Sequence, residues 1–164
     1  MPWLSVPSVL GETELFYRYR SRDYYNEGIG TTQDGSNNAF GLRQYYPFGQ
    51  RGFMLAVYRF DSEDKSNTAG APFQYDGHRV EAGVGWQFPL AVYANALYAY
   101  KHEDYGSASL GRRDDEHDFS FVMRRPITSH MNVVGGYYGK IHNSTQNVFE
   151  YDRHIGSIAL ELFY

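Results

Sequence analysis

The sequence predicts an all-β protein, an eight-stranded antiparallel transmembrane β-barrel of the up-and-down kind. Three observations carry that expectation. Apolar and polar residues alternate one by one through most of the chain. The alternating segments are joined by short turns and long polar loops in strict rotation. Aromatics make up 18% of the residues, with 16 Tyr, beside 17 Gly. Period-two alternation belongs to strands whose two faces meet different surroundings. Loops sorted by length are the layout of barrels that cross membranes, with short turns at one rim and long loops at the other. Aromatics at this density supply the interfacial girdles of such a barrel, and glycines make room beside them.

Residues 1–10, with Pro2 and Pro7, read as an extended lead-in, and 11–164 as the barrel. From Glu12 one row holds Glu14, Phe16, Arg18, Arg20 and Arg22, the other Thr13, Leu15, Tyr17 and Tyr19. Three arginines in one row cannot face a soluble core. After a polar run, Ala39 to Tyr46 sets Phe40, Leu42 and Tyr46 against Gly41, Arg43 and Tyr45, and Pro47-Phe-Gly-Gln50 turns it. Arg51 to Phe60 is ambiguous in phase. Placing Met54, Ala56, Tyr58 and Phe60 outward keeps Arg59 and Asp61 out of hydrocarbon. Beyond a hydrophilic loop at 61–76, Val80, Ala82, Val84, Trp86 and Phe88 oppose Arg79, Glu81, Gly83, Gly85 and Gln87.

Pro89 turns the chain into the fifth strand, whose phase rests on Asn95 and Lys101. A third polar loop covers 102–115. Phe119, Phe121 and Met123 then oppose Asp118, Ser120 and Arg124, and Pro126 marks the next turn. Met131 to His142 sets Val133 and Tyr137 against Asn132, Tyr138 and Lys140. In the last strand Ile158, Leu160 and Leu162 oppose Arg153, Ser157 and Glu161. The expected interior therefore holds Glu12, Glu14, Arg18, Arg20, Arg43, Arg59, Glu81, Lys101, Asp118, Arg124, Lys140, Arg153 and Glu161, both signs together so that they pair. The expected lipid face holds Leu15, Tyr17, Leu42, Val84, Trp86, Phe119, Phe121, Val133, Ile158, Leu160 and Leu162. Unpaired edges are costly in hydrocarbon, so the last strand is expected to pair with the first.

A mean hydropathy of −0.56 and the lack of any 18-residue apolar run exclude a helical membrane protein. With no cysteine there are neither disulfides nor thiolate metal sites. A net charge of −4 without a basic block gives nucleic acid no electrostatic footprint. Met1-Pro2-Trp3 lacks the regions of a signal peptide, so the barrel reading expects a targeting segment or upstream domain ahead of this numbering.

The ending, with Asn143-Ser144, Phe149, Tyr151-Asp152-Arg153, Ile155, Leu160, Leu162 and a final aromatic Tyr164, resembles the closing strand of Gram-negative outer-membrane β-barrels, including those that follow periplasmic repeat domains. The resemblance implies the bacterial outer membrane as location. It also implies that Leu160, Leu162 and Tyr164 form the signal read by the barrel assembly machinery. Lipid, lipopolysaccharide and an envelope or periplasmic protein are the partners it implies. The expected role is a non-enzymatic structural or anchoring barrel or small pore, without cofactor or metal. An alternative is the C-terminal part of a larger export or transport barrel.

His142 and Ser144 lie two apart on one strand face, with Glu150 near enough to orient the imidazole. That grouping resembles the site of lipid A 3-O-deacylases, eight-stranded outer-membrane barrels with a His-x-Ser pair and a carboxylate. In that family the pair faces lipid, whereas here it shares phase with Lys140, Tyr138 and Asn132, and a polar strand end is the preferred reading. The acidic runs Asp114–Asp118 and Asp61–Asp64 both read as solvated surface or as sites of lipopolysaccharide bridging, since neither has the spacing of a cation-binding loop. Six scattered histidines, at 78, 102, 117, 130, 142 and 154, suggest interface positions and not a metal site. A soluble lipocalin-like carrier is a further alternative. That family has Gly-x-Trp near its first strand and a helix after its last, whereas here Trp86 directly follows Gly85 in the fourth.

Overall fold

The computed structural model describes residues 3–8, 11–23, 34–66 and 68–163. They form one antiparallel sheet whose nine strands follow chain order: β1 (Trp3–Ser8), β2 (Gly11–Arg22), β3 (Gly35–Phe48), β4 (Gly52–Lys65), β5 (Tyr75–Gln87), β6 (Tyr93–Tyr105), β7 (Arg113–Thr128), β8 (Met131–Ser144) and β9 (Tyr151–Leu162). The remaining regular structure among these residues is four short 3-10 turns, and no helix is long and apolar enough to cross a membrane. Every pairing is between sequence neighbours, so the fold is an up-and-down meander.

Several expectations are corrected, the count of eight strands among them, since nine are formed among the described residues. Trp3–Ser8 is a strand, paired to β2 from Trp3 opposite Phe16 to Ser8 opposite Gly11. Pro7 lacks an N–H for a ladder, but an edge strand tolerates that loss. Because β1 occupies the free side of β2, the last strand does not pair with Gly11–Arg22. Among the described residues β1 and β9 each have one paired edge, and the sheet is not closed. The strands also run further than the alternation suggested. Asp61 to Lys65 continues β4, and Arg113 to Asp118 lies inside β7. Pro47 and Pro126 sit within β3 and β7, not in turns, and Pro126 lies beside a register shift.

Long and short connections do alternate. β3–β4, β5–β6 and β7–β8 are joined at one rim by tight turns, while residues 66–74, 106–112 and 145–150 form longer connections at the other. The sheet is one layer deep, yet one face is buried. Ala39 and Ala99 are each 1% exposed, whereas Phe40, the next residue on the opposite face, is 54% exposed. With no second layer over it, a face can bury its side chains only by curling so that they cover one another. The buried face is therefore the inner, concave one.

Candidate functional site

The register assembles the inner face from alternate residues of each strand. One row runs Arg59, Arg79, Lys101, Glu116, His142 and Tyr151; the row nearer the short turns runs Arg43, Val57, Glu81, Ala99, Asp118, Lys140 and Arg153. Arginines reach across whole strands here. Arg18 on β2 passes Ala39 to meet Asp61 on β4 at 3.5 Å, and Arg22 meets Glu63 at 2.9 Å. From β5, Arg79 meets Asp118 on β7 at 3.1 Å, over Ala99. Strands two apart are separated by about 9.6 Å, so a guanidinium spans the gap only over a small residue on a curved surface. Ala39 and Ala99 supply that clearance for Arg18 and Arg79, and Gly35 stands opposite Arg22.

Acids are shared between cations. Asp61, 2% exposed, also accepts from Arg59 Nε at 2.7 Å. Lys65 joins Arg22 on Glu63. Lys140 bridges Glu116 at 2.8 Å and Asp118 at 3.4 Å, and Tyr138 donates to Asp118 at 2.8 Å. Nearer the short turns Arg43 pairs with Glu14, and Arg124 with Glu161. At the long-loop rim the Arg112 guanidinium lies between the rings of Tyr105 and Phe149, 3.5 and 4.1 Å from their centres, and pairs with Asp114. Two inner-face cations stand outside the network. Arg20 on β2 and Arg153 on β9 have no carboxylate partner among the described residues, and Arg153 sits opposite Lys140.

The outer face reverses this chemistry. Leu15, Leu42, Met54, Val84, Phe121 and Leu160 are all exposed, and Ile158 is 86% exposed. Compared with known proteins, the chain matches no family model, no curated protein and no solved structure. The charged residues assigned above to the interior share the inner face, and the apolar residues assigned to lipid share the outer one. Tyr164 lies outside the described residues.

The His142, Ser144 and Glu150 grouping does not assemble. His142 and Ser144 are on the inner face of β8, and Ser144 is the last residue of that strand. The Ser144 hydroxyl donates to Asp114 at 2.6 Å, not to the imidazole. His142 stacks on Tyr151, with its Nε2 3.4 Å from Asp114, and Glu150 is exposed beyond the 3-10 turn Asn147–Phe149. A nucleophile needs its base within hydrogen-bonding reach, and here a carboxylate holds the hydroxyl instead.

Nor are the acidic runs simply solvated surface. Asp61, Glu63, Asp114 and Asp118 are buried, because strand alternation turns every second residue onto the cationic inner face. Among the described residues no three His, Asp or Glu side chains converge to hold a metal. One feature escaped the sequence. His78, His117 and His154 each hydrogen-bond a tyrosine of the preceding strand, a relation visible only once register is known.

Proposed function

We propose that this chain forms the wall, or part of the wall, of a transmembrane β-barrel of nine or more strands, whose charged face lines a polar passage. One observation carries the reading: a single-layer sheet holds an ion-pair network on its inner face and leaves large apolar side chains uncovered on its outer face. A water-soluble sheet buries its apolar face against another layer, and lipid is the surrounding that makes the reverse arrangement favourable. A soluble carrier of the lipocalin kind has the opposite polarity, apolar within and polar without.

Barrel size follows from the edges. β2 is already flanked by β1, and an open edge in hydrocarbon leaves backbone groups unsatisfied at several kcal/mol each. Pairing of the β1 and β9 edges, with each other or with further strands, removes that cost and gives Arg153 a neighbour on the open side of β9. The ending's resemblance to Gram-negative closing strands supports the outer membrane as location, with lipid, lipopolysaccharide and the assembly machinery as partners. The function this favours is passage of a polar solute or polymer. The second reading, a non-conducting anchor, is favoured by the density of the ion pairs, which fill the inner surface with matched charge.

Purified protein should require detergent, migrate faster on gels before heating than after, and give steady channel conductance in planar bilayers. A heat-modifiable protein that never conducts supports the anchor, and a monomer soluble without detergent refutes both readings.

A further inference from the structure

The outer face repeats one device in every second hairpin interval. Tyr17 bonds Asn38 at 2.7 Å; Tyr58, Tyr98 and Tyr137 bond Nδ1 of His78, His117 and His154, each at 2.8 Å. Each bond runs diagonally, because Asn38 stands opposite Tyr19, His78 opposite Phe60, His117 opposite Tyr100 and His154 opposite Gly139.

The pairs also advance regularly. Tyr17 shares a row with Phe40 and Phe60, and Tyr58 lies two residues below that row, toward the short turns. Tyr58 shares a row with Val80 and Tyr100, and Tyr98 lies two below. Tyr98 shares a row with Phe119 and Gly139, and Tyr137 lies two below. The device thus descends one residue per strand. One residue rises about 3.3 Å and one strand spacing is about 4.8 Å, so the line through the pairs makes about 35° with the row direction. Strands of membrane barrels tilt by about that angle, which puts all four pairs at a single height around the wall.

What lies on either side of that height differs. On the long-loop side the outer face is polar, with Ser62, Asp76, Asp104, Asp115 and Asp152. On the short-turn side lies an apolar groove of about 470 Å³, floored by Ala82 and Ala96 between Met54, Phe121 and Tyr137, with Tyr98 at its upper end. When the phenol donates to Nδ1, the imidazole proton is on Nε2, leaving that N–H for an outside acceptor.

We propose that this belt binds membrane lipid on the long-loop side, its imidazole Nε2–H groups donating to the ester and phosphate oxygens of the headgroup while one acyl chain occupies the Ala82–Ala96 groove. The proposal rests on the membrane-wall reading. Its ligand is an acyl lipid, because a belt of donors to oxygen directly above an apolar groove matches the headgroup and chain of one molecule.

The test uses the whole protein in vesicles of dioleoylphosphatidylcholine and dioleoylphosphatidylglycerol. Since the chain has no cysteine, single substitutions accept one spin label each. Labels at His78→Cys, His117→Cys and His154→Cys should report one common depth at the headgroup, and labels at Val84, Phe121 and Leu160 should sit among acyl chains. Spin-labelled phospholipid should show an immobilised fraction that falls at least twofold in Ala96→Trp, which fills the groove, and in His117→Ala with His154→Ala, which removes the donors and leaves the groove open. Three different depths at the histidines, or an immobilised fraction unchanged in both variants, overturns the lipid belt while the membrane wall stands. Water at Val84, Phe121 and Leu160 overturns the wall itself, and the belt with it.

Discussion

Asp61 holds two cations at once, Arg59 of its own strand at 2.7 Å and Arg18 from two strands away at 3.5 Å, from a position 2% exposed. Removing its charge leaves both guanidinium groups facing a neutral amide. Each guanidinium keeps about a quarter of its side chain in water, so solvent offsets part of the loss. Asp61→Asn should therefore destabilise the fold by about 2 kcal/mol, toward the low end for a broken buried pair, read as a lower denaturant midpoint. Asp64→Asn, exposed on the other face, should stay within about 0.5 kcal/mol. Equal effects at the two positions would mean that the inner network contributes nothing. The sequence puts Asp61 in phase with Arg59, yet reads it, like Asp64, as part of one acidic run in a hydrophilic loop. Their difference is a matter of parity, and parity holds as far as Asp64 only when the strand is known to continue past Phe60.

Glycines show what strands require of one another. A side-chain carbon on Gly85 would come within 2.1 Å of the Phe53 ring, which lies over that position from β4. Gly85→Ala must push the ring aside and should cost about 1–3 kcal/mol by overpacking. Nothing lies within 4 Å of the corresponding point on Gly135, so Gly135→Ala should be neutral or stabilise by about 0.5 kcal/mol through lower chain entropy. Thermal scans of the two variants, side by side, separate a packing role from a propensity effect. At this scale most strands were legible, because apolar–polar alternation is local and survives without knowledge of partners. β1 was not: six residues containing Pro7 carry too little alternation, and their strand character comes from the edge of β2. The tyrosine–histidine diagonals were equally hidden, since a bond between residues twenty apart depends on register, which turn length and cross-strand packing set together.

For the whole molecule the decisive question is what satisfies β9. Both its faces are exposed, and among the described residues it is bonded to β8 alone, from Met131 opposite Leu162 to His142 opposite Tyr151. In an antiparallel edge strand alternate amides point into the ladder and away from it. In detergent micelles, amide hydrogen exchange should accordingly divide β9 into two interleaved sets, one protected by β8 and one exchanging at loop-like rates. Pairing with a further strand would protect the second set, and would bring Arg153 beside whatever residue that strand presents on the inner face. A carboxylate there would complete the row in which Arg153 now faces only Lys140. Arg153→Glu tests this without knowledge of the partner. If β9 stays an edge, the variant should gain about 0.2–1 kcal/mol of stability, because the new carboxylate stands directly opposite Lys140. If an acidic strand closes the wall, the same change places two acids together and should lower the temperature at which the heat-modifiable form is lost. Unchanged melting together with uniform protection across β9 would exclude both arrangements.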